Sequence, residues 1–357
     1  MEAMVAAISK EIDASADFLK GEPVGTVYFG GGTPSLLPDT DLHGLLRSLA
    51  NRHIFMEGAE ITLEANPDDI SPDRLEAWKA AGINRLSIGV QSFREEDLRW
   101  MNRAHSATQA VAAIQAARKA GFDHDSIDLI YGTPGLSDDD LRKNVETAIA
   151  LGCTHLSCYA LTVEPRTALA RDIKEGKMLP TDTEQQVRQF LLLIDLLTRA
   201  GYEHYEISNF ALPGHRSRHN SSYWQGVPYL GLGPSAHSFN GRLRRWNVAN
   251  NSHYIGSIAN GTLPFEEEVL TPVQQLNEYL MTALRTMEGA NLDRISRGWG
   301  NWALDQIVEN ARAFHQKGWM MTDKGNLILT TQGKLFADGI ASDLFFEEGA
   351  GAMGAED

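Results

Sequence analysis

An α/β fold on a parallel sheet is predicted by three features of this 357-residue sequence. The first is a rhythm. Ala81-Gly82-Ile83, Ala120-Gly121-Phe122, Leu151-Gly152-Cys153 and Ala200-Gly201-Tyr202 each put a glycine between a helical stretch and an apolar one. Glycine reaches the left-handed conformation that closes a helix and turns the chain into the next strand. The second is a set of short apolar runs, read as strands over 24–30, 61–66, 85–92, 126–132 and 155–162. Such runs suit strands covered by helices. The third is the helix starts. Ser71 caps a helix with Pro72 at its first position, Ser137 and Asp140 start another, and Thr181 with Glu184 form a capping box. No Gly-x-Gly-x-x-Gly follows the first strand, so an open or closed barrel fits better than a nucleotide-binding doubly wound sheet.

The remaining elements follow along the chain. Residues 1–20 read as an amphipathic helix without the layout of a signal peptide. Between Gly201 and Pro264 the α/β rhythm stops, and Asn, Gly, Ser, His and aromatics suggest loops with short strands. Residues 272–290 and 301–317 read as helices. Two short strands around 318–321 and 326–330 and a final helix over 331–344 suggest a small winged-helix-like region. The tail 347–357 is small and acidic and is expected to be disordered.

Composition narrows the function. Thirty-two basic against 47 acidic residues give a net charge of -15, which argues against nucleic acid or an anionic membrane as main partner. No apolar run reaches the ~18 residues of a membrane span. Two cysteines, Cys153 and Cys158, fit a reducing compartment without a disulfide framework. They read as small buried hydrophobes.

Polar residues gather where the strands should end, which is where parallel barrels carry their chemistry. Gly30-Gly31-Gly32-Thr33 lets backbone amides approach a ligand. Glu64, Gln91 and Asp128 sit at or near the ends of the next strands. A carboxylate between Ile127 and Leu129 needs a partner or a ligand. Each alone could be a structural hydrogen-bonding group; together they point to one polar pocket. A second concentration is His219-Asn220-Ser221-Ser222-Tyr223-Trp224, read as a loop-like segment amid Arg216, Arg218, Arg242, Arg244 and Arg245. Imidazole, aromatics and arginines suit a flat metal-bearing ligand with carboxylates, such as heme. A structural loop with a hydrogen-bonded histidine is the plain alternative.

Tyr-Phe-Gly-Gly-Gly-Thr-Pro-Ser, Glu-Ala-Asn-Pro, Leu-Ser-Ile-Gly-Val-Gln-Ser-Phe, Asn-Arg-Ala-His and Asp-Leu-Ile-Tyr-Gly-Thr-Pro-Gly occur in this order. From Val24 to about Phe346, the chain resembles the coproporphyrinogen-oxidase-like branch of the radical SAM enzymes. His-Asn-Ser-Ser-Tyr-Trp resembles the signature of HemW-type heme chaperones. The resemblance implies a parallel (β/α) barrel over 1–200, a connecting region over 201–265, and a C-terminal, mainly helical domain over 266–346. It implies an S-adenosylmethionine site at Gly31, Gly32, Thr33, Glu64, Gln91, Arg103 and Asp128, with Ile130 and Ala160 on the adenine side. It assigns His219, Asn220, Tyr223 and Trp224 to heme, with His219 as candidate iron ligand and His215 and His237 as rivals. The implied function is a cytoplasmic heme chaperone, serving heme-requiring proteins, with the respiratory membrane as a place of delivery. The rival is oxygen-independent coproporphyrinogen dehydrogenation, against which the signature argues; an inactive fragment is a third reading. The family's four-iron four-sulfur cluster needs a Cys-x-x-x-Cys-x-x-Cys run, which this chain does not contain. The expectation is therefore a barrel without its first strand and cluster loop, explained most simply by truncation, and without reductive cleavage of S-adenosylmethionine.

Overall fold

The computed structural model describes residues 1–347. The acidic tail falls, from residue 348 on, outside the described residues. The chain begins with helix α1 (Glu2–Ala14), strand β1 (Val24–Phe29), helix α2 (Asp39–Arg52) and strand β2 (Phe55–Ala65). Helix α3 (Pro72–Ala81), strand β3 (Arg85–Gln91), helices α4 (Glu95–Trp100) and α5 (Ala107–Lys119) and strand β4 (Ser126–Tyr131) follow. Then come helix α6 (Asp138–Ala150), strand β5 (His155–Ala160), helices α7 (Ala168–Lys174) and α8 (Thr183–Arg199), and strands β6 (Glu203–Glu206) and β7 (Asn209–Ala211).

These seven strands form one sheet in the order β1-β2-β3-β4-β5-β7-β6. Strands β2 to β5 pair in parallel, and β5–β7 and β7–β6 pair antiparallel. The four glycines act as the sequence requires: Gly82, Gly121, Gly152 and Gly201 have φ of 105°, 82°, 72° and 89°. Ser71 accepts from the Arg74 amide and Ser137 from the Asp140 amide. The expected Thr181–Glu184 box does not form. Asp182 caps α8 instead, accepting from the amides of Glu184 and Gln185 at 2.9 and 3.3 Å. One carboxylate there serves two of the helix's orphan donors.

The chain divides into two compact units. One comprises Val27–Asp39 and Glu60–Ser217; the other comprises Met1–Thr26, Thr40–Ala59 and, among the described residues, 218–347. In the first, Leu63, Leu86, Ile88, Ile127 and Leu156 are fully buried on the sheet, with Trp78 and Phe122 beside them. Each such side chain contributes roughly 1.5–3 kcal/mol by leaving water.

The other unit continues with helix α9 (Arg218–Gln225), strands β8 (His237–Phe239) and β9 (Leu243–Asn247), helix α10 (Asn251–Ala259) and strand β10 (Phe265–Val269). Strands β10, β9 and β8 form an antiparallel sheet. The region expected to be loops and short strands therefore also holds two helices. Helix α11 (Pro272–Ala283) is shorter than the helix expected over 272–290. It is followed by strand β11 (Ala290–Asn291), helices α12 (Leu292–Trp299) and α13 (Asn301–Gln316), and strands β12 (Met320–Asp323) and β13 (Asn326–Leu329). Beyond the end of α11, Gly289 has φ of 71°, and a Cβ there would collide with the Leu327 carbonyl across the small sheet. The expected final helix is two, α14 (Thr331–Lys334) and α15 (Ala337–Asp343).

Helix α1 packs on α10 through Ala7, Tyr254 and Ile258. Beside this contact Glu11 is buried, and burial raises its carboxyl above the usual carboxylate range. It is satisfied by the Gly233 amide at 2.7 Å, the Asn247 amide at 2.5 Å and the Tyr254 hydroxyl at 2.5 Å. Among the described residues no helix is long and apolar enough to cross a membrane.

Candidate functional site

The carboxyl ends of β1 to β3 and the middle of β4 surround a polar cavity of about 200 Å³. The β1 end supplies the glycine turn. Gly31 and Gly32 have φ of 79° and 64°, and a Cβ on either would meet nothing within 4 Å. Gly30 differs, because a Cβ there would lie 2.5 Å from the Tyr28 ring and 2.9 Å from Glu64 Oε1. That closeness lets Tyr28 donate its hydroxyl to Glu64 Oε1 at 2.8 Å while the Gly31 amide donates to Oε2 at 3.1 Å. Glu64 is thus held by β1 at the mouth of its own strand.

Strand β3 ends irregularly. Its register against β4 shifts between Ile88 and Gln91, and Gln91 has φ of 67°. A non-glycine residue at positive φ is uncommon and strained. The kink places Gln91 Nε2 where a Cβ on Gly89 would come within 2.9 Å of it. Arg103 reaches the same spot, donating to Asn66 Oδ1 at 2.8 Å and to the Gly89 carbonyl at 3.3 Å.

Asp128 faces this cavity from β4. Burial pushes its carboxyl up to about 7, and the nearby charge of Glu64 adds to that; a Ser157 hydrogen bond and Arg103 oppose it. Two carboxyls and one guanidinium therefore share a confined space in which one carboxyl titrates near neutrality. Such a cavity can take a ligand that carries both a cation and hydrogen-bonding groups.

Gly32, Thr33, Glu64, Gln91, Arg103 and Asp128 all line the cavity, and Gly31 borders it through its bond to Glu64. Ile130 and Ala160 are not among the lining residues; they sit on β4 and β5, opposite Tyr159 and Tyr131. Sequence reasoning missed Asn66, Ser87 and Gly89. Counting back from Gln91 in steps of two along the strand would have found Gly89 and Ser87.

The His219 segment is helical, a correction to the loop reading: residues 218–225 form α9. The helical spacing brings His219 and Tyr223 together at i and i+4. Their ring centroids are 5.0 Å apart at an angle of 89°, and Tyr223 meets Tyr229 at 4.7 Å. Thr26 Oγ1 lies 2.9 Å from His219 Nδ1. Trp224 is stacked beneath the Arg285 guanidinium at 5.4 Å, and its shielded indole N–H has no hydrogen-bond partner. Asn220 is half-buried on the same helix.

Four of the five arginines expected to ring this segment are engaged. Arg218 donates to the Gly58 carbonyl at 2.7 Å, Arg244 pairs with Glu278 at 2.5 Å, and Arg245 pairs with Glu267 at 3.2 Å. The antiparallel register sets Glu267 directly opposite Arg245, which explains that pair. His237 is exposed and stacks with Trp246 at 6.4 Å. In the other unit His215 contacts His124, Nδ1 to Nδ1, at 3.0 Å, and Arg216 pairs with Glu203 at 2.8 Å.

Comparison with known proteins finds relatives over most of the chain. The family model for the Radical SAM superfamily matches residues 6–148. The protein named heme chaperone HemW of Mycobacterium tuberculosis (strain H37Rv) is 37% identical over 339 residues, covering 95% of this chain and 85% of that protein. HemW of Bacillus subtilis (strain 168) is 33% identical, over 89% of this chain and 85% of that protein. HemW of Escherichia coli (strain K12) is 35% identical, over 78% and 73% respectively. The solved structure of coproporphyrinogen III oxidase (HemN) from Escherichia coli superposes with a TM-score of 0.83 at 24% identity, covering 96% of this chain and 83% of that one. That likeness establishes the fold. Fold and family model together define a radical SAM protein. Within that class the chain belongs to the HemW family.

The superfamily implies S-adenosylmethionine and a four-iron four-sulfur cluster. The cavity residues fit the first: an open glycine turn, two carboxyls and a guanidinium meet a zwitterionic sulfonium. The residues of this chain do not fit the second. Cys153 and Cys158 are buried, and burial lifts the Cys153 thiol to about 12 and the Cys158 thiol higher still. Two thiols cannot supply three thiolates. Among the described residues no group of three His, Cys, Asp or Glu is placed to hold a metal ion.

Proposed function

We propose that this chain is a cytoplasmic heme chaperone that binds heme through the α9 segment and passes it to heme-requiring proteins, including acceptors at the respiratory membrane. The observation that carries the reading is the fixed imidazole of His219: Thr26 holds Nδ1 at 2.9 Å and Tyr223 packs edge-on against the ring. With the threonine hydroxyl accepting from Nδ1–H, the lone pair would lie on Nε2, the nitrogen that would meet iron. Asn220, Tyr223 and Trp224 would frame the porphyrin, whose rings stack well on aromatics. The relatives named heme chaperone span most of the chain, which supports this reading over coproporphyrinogen dehydrogenation.

In the same reading Gly31, Gly32 and Thr33 would hold the methionyl end of S-adenosylmethionine, with Glu64, Gln91, Arg103 and Asp128 around it and Ile130 and Ala160 toward the adenine. When bound, this cofactor supplies a sulfonium cation. The carboxyls of Glu64 and Asp128 would balance its charge, and Arg103 would take a carboxylate. The test is a hemin titration followed by visible absorbance, beside His219→Ala, with circular dichroism to show that both are folded. A saturable Soret shift near one heme per chain, weakened in the variant, is expected. No saturable shift in a folded sample would refute the reading.

A further inference from the structure

Asp128 is not alone on its face of the sheet. Its register partner on β5 is Ser157, and the register partner of Ser157 on β7 is Asn209. The three side chains form a row, with Ser157 in the middle. Ser157 Oγ is hydrogen-bonded to Asp128 on one side and donates to Asn209 Oδ1 at 3.1 Å on the other. The orientation of the Asn209 amide is fixed from behind. Its Nδ2 donates to Glu206 Oε2 at 2.6 Å, and a carboxylate can only accept, so the amide oxygen must face the serine. Glu206 is buried and also accepts from the Ser208 amide at 3.0 Å. The row is therefore anchored.

A serine hydroxyl has one proton and two lone pairs. Here it has two acceptors on opposite sides. We propose that Ser157 is a positioning residue with two settings, donating to Asp128 when that carboxyl is ionised and to Asn209 Oδ1 when it is protonated. In the second setting the Asp128 O–H donates to Ser157 Oγ, and every proton has an acceptor. In the first setting Asn209 Oδ1 loses its donor and faces a lone pair. Asn209 thereby competes with Asp128 for the same proton and disfavours the ionised carboxyl, while Ser157 favours it.

The other groups around Asp128 are accounted for. Glu64 on β2 repels its charge and Arg103, beyond α4, attracts it. Tyr28 on β1 and Cys158 and Tyr159 on β5 are neutral near pH 7, their own ionisation being opposed by burial first and also by Asp128. The Tyr159 hydroxyl reaches Ser157 as well. Ser126 Oγ lies 3.5 Å from Ser157 but is held at 2.7 Å by buried His155, so it is the weaker neighbour. If the cavity takes a sulfonium ligand, as proposed above, the ligand's cation draws the Ser157 proton toward Asp128. The row then makes ligand affinity depend on pH.

The decisive experiment is a carbon-detected NMR titration of the Asp128 carboxyl in the ligand-free full chain, assigned with Asp128→Asn. Ser157→Ala removes the donor and should move the midpoint to higher pH. Asn209→Ala removes the competitor and should move it to lower pH. Each displacement is expected to be roughly one pH unit, a tenfold change in the protonation ratio. Ser157→Thr keeps the hydroxyl and should restore the parent midpoint. If Asn209→Ala does not fold, Asn209→Val suits the strand and also lacks the acceptor. Displacements of the same sign, or none in the Asn209 variants, would overturn the proposal. Calorimetric titration with S-adenosylmethionine from pH 5.5 to 8.5, a range chosen around Asp128, is the second arm. Absence of binding beside opposite NMR displacements would leave the switch standing and remove the ligand reading.

Discussion

The hydroxyl of Thr26 on β1 lies 2.9 Å from Nδ1 of His219 on α9, joining residues 193 positions apart. A partner of this kind fixes the orientation of an imidazole. Thr26→Val keeps the shape of the side chain and removes the hydroxyl. We expect it to weaken hemin affinity by roughly 10–100-fold, the usual effect of losing an outer partner of a metal ligand. His219→Ala should weaken it further. Parallel Soret titrations check the order; equal affinities of parent and Thr26→Val would separate this contact from heme.

Asp128 should give the chain a recognisable pH dependence. Its folded value is raised to about 7. A carboxyl raised on folding contributes stability that is complete below its unfolded value, near pH 4, and lost as pH rises through the folded value. Asp128→Asn removes that slope. Its melting temperature relative to the parent should therefore rise from pH 5 upward and level off above the Asp128 value. Two melting curves that move in parallel over this interval would contradict the assignment.

Gly30 is set by packing, and its backbone does not need glycine's freedom. A Cβ would lie 2.5 Å from the Tyr28 ring and 2.9 Å from Glu64. Gly30→Ala should displace the Tyr28–Glu64 pair and cost about 1–3 kcal/mol. Gly32→Ala meets open space but a positive φ, so it should cost less through contacts and strain the turn instead. Urea denaturation of the two variants measures the difference.

The cysteines should behave as core residues. Both are buried and their thiols resist ionisation. A thiol reagent should leave them unmodified in the native chain and modify both in urea. Anaerobic incubation with iron and sulfide should yield no stoichiometric four-iron cluster on this chain, read by iron content and absorbance near 400 nm, where such clusters absorb. One cluster per chain would show that other residues supply the ligands.

What could be read from the sequence was local or followed from family motifs. The strand–helix rhythm, the four left-handed glycines and the caps at Ser71 and Ser137 depend on neighbours a few residues apart, and all are present. The polar residues at strand ends were legible because parallel strands put their carboxyl ends on one edge. In the His219 segment the flanking glycines and prolines signal a loop and mask a short i, i+4 pair. That pair is helical in the fold.

The sequence alone determined the alternation of elements, and which residue types stand at the strand ends. Tertiary structure decided how those residues are held. That Ser157 stands between Asp128 and Asn209, or that Arg244 spends its charge on Glu278, depends on strand register and on contacts between distant segments. Local periodicity cannot encode them, because a slip of one residue in register turns every side chain to the other face.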